Sequence, residues 1–422
     1  TYMKIETSLR INEVRLQAHI DELGKIGLND SKGLDRITFS TFDLQARQWL
    51  IEKIQDLQLN YQIDAAANIW TALPTANNLA PIMIGSHLDT VPNGGKYDGA
   101  LGVLIGLEIL TTLLENNIQL KHPIGLVSFT AEEPNPFNLS TFGSRIVTGK
   151  LKKSNIEHVQ TANGIPLKTA LASAGGSMEA IESAKKTPGE LAAFLEVHIE
   201  QGKRLLNQSI PIGIVTAITG IYREEITIIG EANHAGTTLM TERNDALVAA
   251  SKFVVAFEEI VRKDPSDEVV GTIGQFAIKP GAPSIIPNEV KLLMEIRGDK
   301  VEKITNIRQQ VDAVLDQLAR QQPIQTHRTI ILDQAPTDMD DTVIESFKKA
   351  VPQEEHYLLM GSMAGHDATH LASITKAGML FVPSIGGKSH CPEEYSRIED
   401  IGKVSNVLLQ AIFDLDNILD KE

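Results

Sequence analysis

Residues 85–102 read GSHLDTVPNGGKYDGALG, and the way this stretch is entered and left decides the fold. A short apolar run, PIMIG at 81–85, leads into it, and residues 100–114, ALGVLIGLEILTTLL, apolar nearly all round, lead out. A buried strand that passes through a glycine-rich loop into a buried helix is the building unit of a mainly parallel α/β sheet. His87 and Asp89 stand two residues apart at the strand end and so project to the same side. Asp98 follows at the head of the helix. In parallel sheets ligands collect at the carboxyl ends of the strands, where this loop lies.

The neighbouring sequence extends the pattern. Residues 41–58 place Leu44, Trp49, Ile51, Ile54 and Leu57 at near-helical spacing after a Ser40 or Thr41 cap. Further buried strands are expected at 124–129, 192–197 and 379–382, and a closing helix near 398–419. From about 212 the texture changes. Residues 212–230, IGIVTAITGIYREEITIIG, read as paired half-exposed strands, DALVAASKFVVAFEEIVRK as a helix, and 269–278 as another strand. In NEVKLLMEIRGD, Val290, Leu292, Met294 and Ile296 alternate with Lys291, Leu293, Glu295 and Arg297. Ile304, Ile307, Val311, Val314 and Leu318 then form a helix stripe. The expected architecture is α/β: a mainly parallel-sheet catalytic domain with helices on both faces, residues 1–211 and 331–422. It is interrupted by an α+β, ferredoxin-like lid at 212–330.

Composition narrows the function. With 422 residues, 42% hydrophobic and 22% charged, the chain holds two to three domains at roughly 150 residues each and is not disordered. A net charge of −15 disfavours nucleic acid, whose phosphates need clustered Lys and Arg. Aromatics at 5% argue against base-stacking platforms. The single cysteine, Cys391, rules out an intramolecular disulfide and fits a reducing cytoplasm. Residues 1–10 lack the apolar core of an export signal, and no run reaches the roughly 18 apolar residues of a membrane span. A cytoplasmic protein acting on a small molecule, with no nucleic acid or membrane partner, is expected.

Three more strand ends carry the same kind of chemistry: FTAEEPNPF with Glu132 and Glu133, FLEVHIEQG with Glu196, His198, Glu200 and Gln201, and PSIGGKSHCPEE with His390. Divalent ions such as zinc and manganese take imidazole and carboxylate ligands, and a bridged pair needs about five. His87, Asp98, Glu133, His198 and His390 supply that number. Such a pair lowers the pKa of a shared water and polarises a carbonyl, while a free carboxylate takes the proton and returns it to the leaving nitrogen. Adjacent Glu132 and Glu133 suit that division, and Asp89 suits orienting an imidazole. Each feature alone has a plainer reading. His122 and His356 read as surface or loop histidines, a glutamate pair as a solvated face, NGGKYDG as a turn, and Arg297 as a salt-bridged strand residue.

Together these segments, with ANHAGTT, SIIPNEVKLLMEIRGD and AGHDATHLA, resemble the M20 family of binuclear metallohydrolases, in particular its amidase, hydantoinase and carbamoylase branch. The resemblance runs from about 85 to 395. It implies two divalent metal ions, zinc or manganese with cobalt or nickel as alternatives. His87 and His198 would hold one ion, Glu133 and His390 the other, and Asp98 would bridge them, with Glu132 as general base and acid. It further implies a homodimer built through the inserted domain, with His234 stabilising an oxyanion and Arg297 gripping a substrate carboxylate, both in trans. Gln201, Gly365 and His366 would complete the substrate pocket. The implied reaction is hydrolysis of a linear amide or ureido C–N bond in a small carboxylate-bearing molecule, such as an N-carbamoyl-L-amino acid or an allantoate-like ureido acid. An aminoacylase or dipeptidase of the same family, and a non-catalytic small-molecule binding protein, are the alternatives. Departures surround the pocket and spare the ligands. Ser284 stands where an asparagine that shares the substrate carboxylate is usual. Pro134, Asn135 and Pro136 replace a Gly- and Arg-containing stretch. Leu239, Met363 and Lys388 are atypical, and Lys388 reads by default as a solvent-facing loop lysine.

Overall fold

The computed structural model describes residues 8–419. Its strands, in chain order, are β1 (Tyr61–Ile63), β2 (Ile69–Ala72), β3 (Ile82–His87), β4 (Ile124–Phe129), β5 (Ala193–Ile199), β6 (Ile212–Ile218), β7 (Gly220–Ile229), β8 (Val269–Lys279), β9 (Glu289–Gly298), β10 (Gln325–Gln334), β11 (Thr337–Asp338), β12 (Tyr357–Ser362) and β13 (Lys376–Val382). Two compact units result. One holds the described residues up to 216 with 338–360 and 366 onward, and the other holds 217–337 with 361–365.

In the first unit the sheet order is β1-β2-β4-β3-β5-β13-β6-β11, with β12 paired to β6. The pairs β3/β4, β3/β5 and β5/β13 are parallel. β2 and β6 flank them antiparallel. β3, β4 and β5 are buried at every position, as continuous apolar runs covered on both faces must be. The helix Ala100–Glu115 packs on β3, β4 and β5 and buries every residue from Ala100 to Leu113. Each large apolar side chain so buried contributes roughly 1.5–3 kcal/mol. Its one buried acid, Glu108, is neutralised by Arg15 at 2.7 Å. The helix Ile398–Ile418 packs on β13. Among the described residues no helix is long and apolar enough to cross a membrane.

Ser40 caps the helix Thr41–Asp56, its hydroxyl accepting from the Asp43 amide. The buried face of this helix carries Ala46, Leu50, Ile51 and Ile54 with the ion pair Asp43–Arg47, while Leu44 and Trp49 are only half-buried. Arg47 explains the shift of face, because its guanidinium donates to the Ala67 carbonyl and the Thr130 hydroxyl across the core.

The second unit runs β7, helix Ala246–Arg262, β8, β9, helix Val301–Gln321, β10, in sheet order β10-β7-β9-β8. This is the split βαβ arrangement. β7 alternates strictly between buried and half-buried positions, and Val290, Leu292, Met294 and Ile296 face inward from β9. Phe253 and Phe257 from one helix and Ile304, Ile307, Val311, Leu315 and Leu318 from the other close the core. Leu315 takes the place that the spacing gives to Val314.

Two sequence expectations shift here. Residues 212–230 do form two strands, but β6 joins the first unit's sheet and β7 the second's. Only Thr219 lies between them, and a hairpin needs a loop of at least two residues. The unit boundary therefore follows Thr216 rather than residue 211, and position 330 falls inside β10, a strand whose half-exposed pattern carries no clear period.

Candidate metal centre

The side chains singled out at the four strand ends converge. His87 ends β3, Glu132 and Glu133 follow β4, His198 lies in β5, and His390 follows β13. Asp98 lies between them with its two oxygens turned to different partners. Oδ1 is 3.4 Å from His87 Nε2 and 3.2 Å from His198 Nε2. Oδ2 is 3.1 Å from His390 Nε2, which is itself 3.3 Å from Glu133 Oε1. His87, Asp98 and His198 form one group able to hold an ion, and Asp98, Glu133 and His390 another. His87 also groups with Glu132 and Glu133, with Glu132 Oε2 3.5 Å from His87 Nε2.

Local structure aims these atoms. His87 Nδ1 bonds the Asp89 carbonyl at 3.0 Å and His198 Nδ1 the Ile199 carbonyl at 2.9 Å, so each ring carries its proton on Nδ1 and presents Nε2 inward. The Asp89 carboxylate accepts from the Glu132 and Glu133 amides at 3.2 and 3.0 Å, fixing the glutamate pair as well as the imidazole. Gly99 has a φ of 69°, and a Cβ there would lie 2.2 Å from the His87 ring. Ala131, Gln201 and His390 take left-handed φ values of 54°, 65° and 57° without being glycine.

The electrostatics call for added positive charge. Burial opposes charge on His87 and His198, yet Glu132 and Asp89 beside the first and Asp98 beside the second raise both. Hydrogen bonds to Asp98 and Glu133 push His390 up to about 10. Asp98, despite its burial, is held well below the carboxylate range by His198, His390 and His87. Burial drives Glu132 well above that range, with Glu133 pushing the same way and His87 opposing. In effect the imidazoles gather protons to balance clustered carboxylates, and a bound cation meets the same demand. Imidazole nitrogens and carboxylate oxygens in this arrangement fit a divalent ion.

Other expected residues fall differently. Gln201 donates its amide to Asp98 Oδ2 at 2.8 Å and to Ser389 Oγ at 3.1 Å. His366 is buried, its ring edge-on to that of His198 at 4.5 Å, whereas Gly365 is exposed. In the second unit His234 is exposed, and its Nδ1 accepts from the Gly236 and Thr237 amides at 2.9 and 3.2 Å, leaving Nε2–H outward. Ser284 is exposed, and its carbonyl accepts from the Ala235 amide. Arg297 donates to Glu295 at 2.7 Å and to the Met363 carbonyl at 3.1 Å, as a salt-bridged strand residue would. Lys388 is exposed.

A model of peptidase family M20/M25/M40 matches residues 83–414, the span that holds all of these strand ends. The chain belongs to this family. It is 34% identical over 409 residues to an N-carbamoyl-L-amino-acid amidohydrolase of a Pseudomonas species, covering 96% of this chain and 99% of that one. An allantoate amidohydrolase of Bacillus subtilis is 32% identical over 381 residues, 90% of this chain and 92% of the relative. A crystal structure of a hydantoinase/carbamoylase family amidase from Burkholderia ambifaria superposes with a TM-score of 0.89 at 29% identity, covering 96% of this chain and 98% of that one.

In this M20 member several residues take places that sequence inspection does not assign them. His122 is buried rather than superficial, bonded to Asp416 at 2.8 Å, and plays no part in the centre. Glu200 caps the helix Arg204–Gln208 by accepting from the Arg204 and Leu205 amides. Arg36, fully buried, donates to the Leu88 carbonyl at 2.8 Å and so braces the turn between His87 and Asp89. Glu394 accepts from both the Asp98 and His390 loops. The acidic residue in the CPEE segment is visible in the sequence, but which of its two glutamates turns inward is not.

Proposed function

We propose that this chain is a metal-dependent amidohydrolase that cleaves the linear ureido C–N bond of a small carboxylate-bearing molecule, an N-carbamoyl-L-amino acid or an allantoate-like ureido acid. The observation that carries the reading is the split of Asp98: Oδ1 faces His87 and His198, and Oδ2 faces His390 beside Glu133. One carboxylate turned to two ligand groups suits a bridge between two divalent ions, zinc or manganese, with cobalt or nickel accepted by the same donors. The carbamoylase and allantoate amidohydrolase relatives support the ureido substrate class.

When bound, the ions would supply a Lewis acid for the carbonyl and lower the pKa of the attacking water. Glu132 groups with His87 and Glu133, whereas Glu133 also joins Asp98 and His390 in a group of its own. As the glutamate outside the Asp98, Glu133 and His390 group, Glu132 would take a proton from the attacking water and deliver it to the leaving nitrogen. Asp89 holds the Glu132 backbone in place by accepting from its amide. His234, with Nε2–H outward, donates to the developing oxyanion, and Arg297 binds the substrate carboxylate.

The proposal includes a homodimer in which His234 and Arg297 serve the partner's reaction. The edge strand β8 exposes Val270, Phe276 and Ile278, an apolar edge of the kind that a second copy covers. Light scattering after size exclusion is expected to give twice the chain mass.

The deciding experiment is a metal-supplemented panel of N-carbamoyl-L-amino acids, allantoate, N-acyl amino acids and dipeptides, assayed for amine and ammonia. Ureido cleavage releases ammonia. Turnover confined to N-acyl amino acids or dipeptides, without ammonia, would point instead to an aminoacylase or dipeptidase.

A further inference from the structure

Asp98 and His390 must stand a fixed distance apart to share an ion, yet they come from segments remote from each other in the chain. The Glu394 side chain, 3% exposed, lies between their loops. Its Oε1 accepts from the Tyr97 amide at 2.9 Å and the Asp98 amide at 2.8 Å. Its Oε2 accepts from the Ser389 hydroxyl at 3.0 Å and the His390 amide at 3.2 Å. Four donors from two loops thus end on one carboxylate.

The first loop makes room for it. A Cβ at Gly95 would lie 2.2 Å from Glu394 Oε1 and 2.4 Å from its Cβ, so only glycine admits the carboxylate there. The second glycine of NGGKYDG therefore has a packing reason unrelated to turn formation. Ser389 adds a link, because its hydroxyl also lies 3.3 Å from Asp98 Oδ2, and its one proton serves either Asp98 or Glu394. His390, meanwhile, is held at a left-handed φ of 57°, a conformation that the bond from its amide to Glu394 helps to impose.

We propose that Glu394 is a positioning residue for the half of the centre formed by Asp98, Glu133 and His390, setting the separation of Asp98 and His390 without touching ion or substrate. The inference rests on the two-ion reading above. Ligand groups must be held to within about 0.5 Å by the residues behind them, and loss of such support weakens metal affinity about 10- to 100-fold. Because Glu394 reaches the His87 and His198 pair only through the shared Asp98, the expected effect is unequal between the two ions.

The test is a titration of the full chain, stripped of metal, with Co2+ alone. Calorimetry follows stoichiometry and stepwise affinity, and visible absorption follows coordination. Wild type is expected to take up two ions. Glu394→Ala is expected to weaken one of them about 10- to 100-fold and leave the other within about twofold. Glu394→Gln keeps one carbonyl acceptor and gains an amino group that cannot accept, so it is expected to lie between the two. At saturating Co2+ kcat is expected to recover while KM stays unchanged. If Glu394→Ala fails to fold, Glu394→Gln, nearly identical in shape, decides alone. Unchanged affinities in Glu394→Gln and Glu394→Ala, or an equal loss of both ions together with a lowered melting temperature, would overturn the clamp. A wild type that takes up a single ion overturns the two-ion reading instead, and the clamp then stands or falls on whether Glu394→Gln weakens that ion.

Discussion

The two units put polar residues to opposite uses. In the first, β3, β4 and β5 are buried along their whole length, and acids and imidazoles cluster where those strands end. There Asp98, Glu132, Glu133 and His198 are each less than a tenth exposed, and every one has its proton affinity moved by the others. In the second, β7 and β9 alternate, and most of their polar side chains point outward into local pairs such as Lys291–Glu225 at 3.1 Å. Burial is what turns a charged side chain into a chemical group, because water screens an exposed pair and leaves little energy to use.

The largest effect should come from the buried end of this contrast. Glu132→Gln is expected to lower kcat by about 10²- to 10⁴-fold with the ion content unchanged. Steady-state kinetics with elemental analysis measure both, and retained activity would remove the proton shuttle from Glu132. For the second unit the sensitive element is its apolar face. Phe253→Ala in the fully buried core is expected to cost about 3–5 kcal/mol of that unit's stability, read as an earlier denaturation transition.

A smaller effect distinguishes the units by pH. His370 in the first unit bonds Thr141 and Lys150, and burial with Lys150 and Arg145 nearby holds its imidazole down to about 3. The unfolded chain takes up that proton near the ordinary value of about 6.5. The stability that neutral His370 brings is therefore fully present above that value and is lost as pH falls towards 3. His370→Gln should bring the melting temperatures at pH 7 and pH 4 closer together by about 2–4 °C, and an unchanged gap would show that other groups carry the acid limb. The least consequence belongs to the exposed face of the second sheet. Lys291→Ala is expected to change stability by less than about 0.5 kcal/mol in chemical denaturation, and a larger loss would mean that the Lys291–Glu225 pair is not screened.

Much of this contrast is legible in the residues. Continuous apolar runs mark the buried strands, strict alternation marks β9, and the loop from His87 to Asp98 places its chemistry at a strand end. What sequence inspection misses has a common cause. The break between β6 and β7 depends on which distant strands each one pairs with, and those partners are remote in the chain. The burial of Arg47 and His122 depends on acceptors at Ala67, Thr130 and Asp416, far away in the chain.

By itself the sequence determined the element types, the alternation of two textures and the set of side chains able to hold a cation, since each follows from local periodicity and donor chemistry. Only the tertiary structure decided which Asp98 oxygen faces which histidine, that Gln201 bonds Asp98, and that Glu394 ties Asp98 to His390. Those are distances between segments remote in the chain, and packing of the whole sheet sets them.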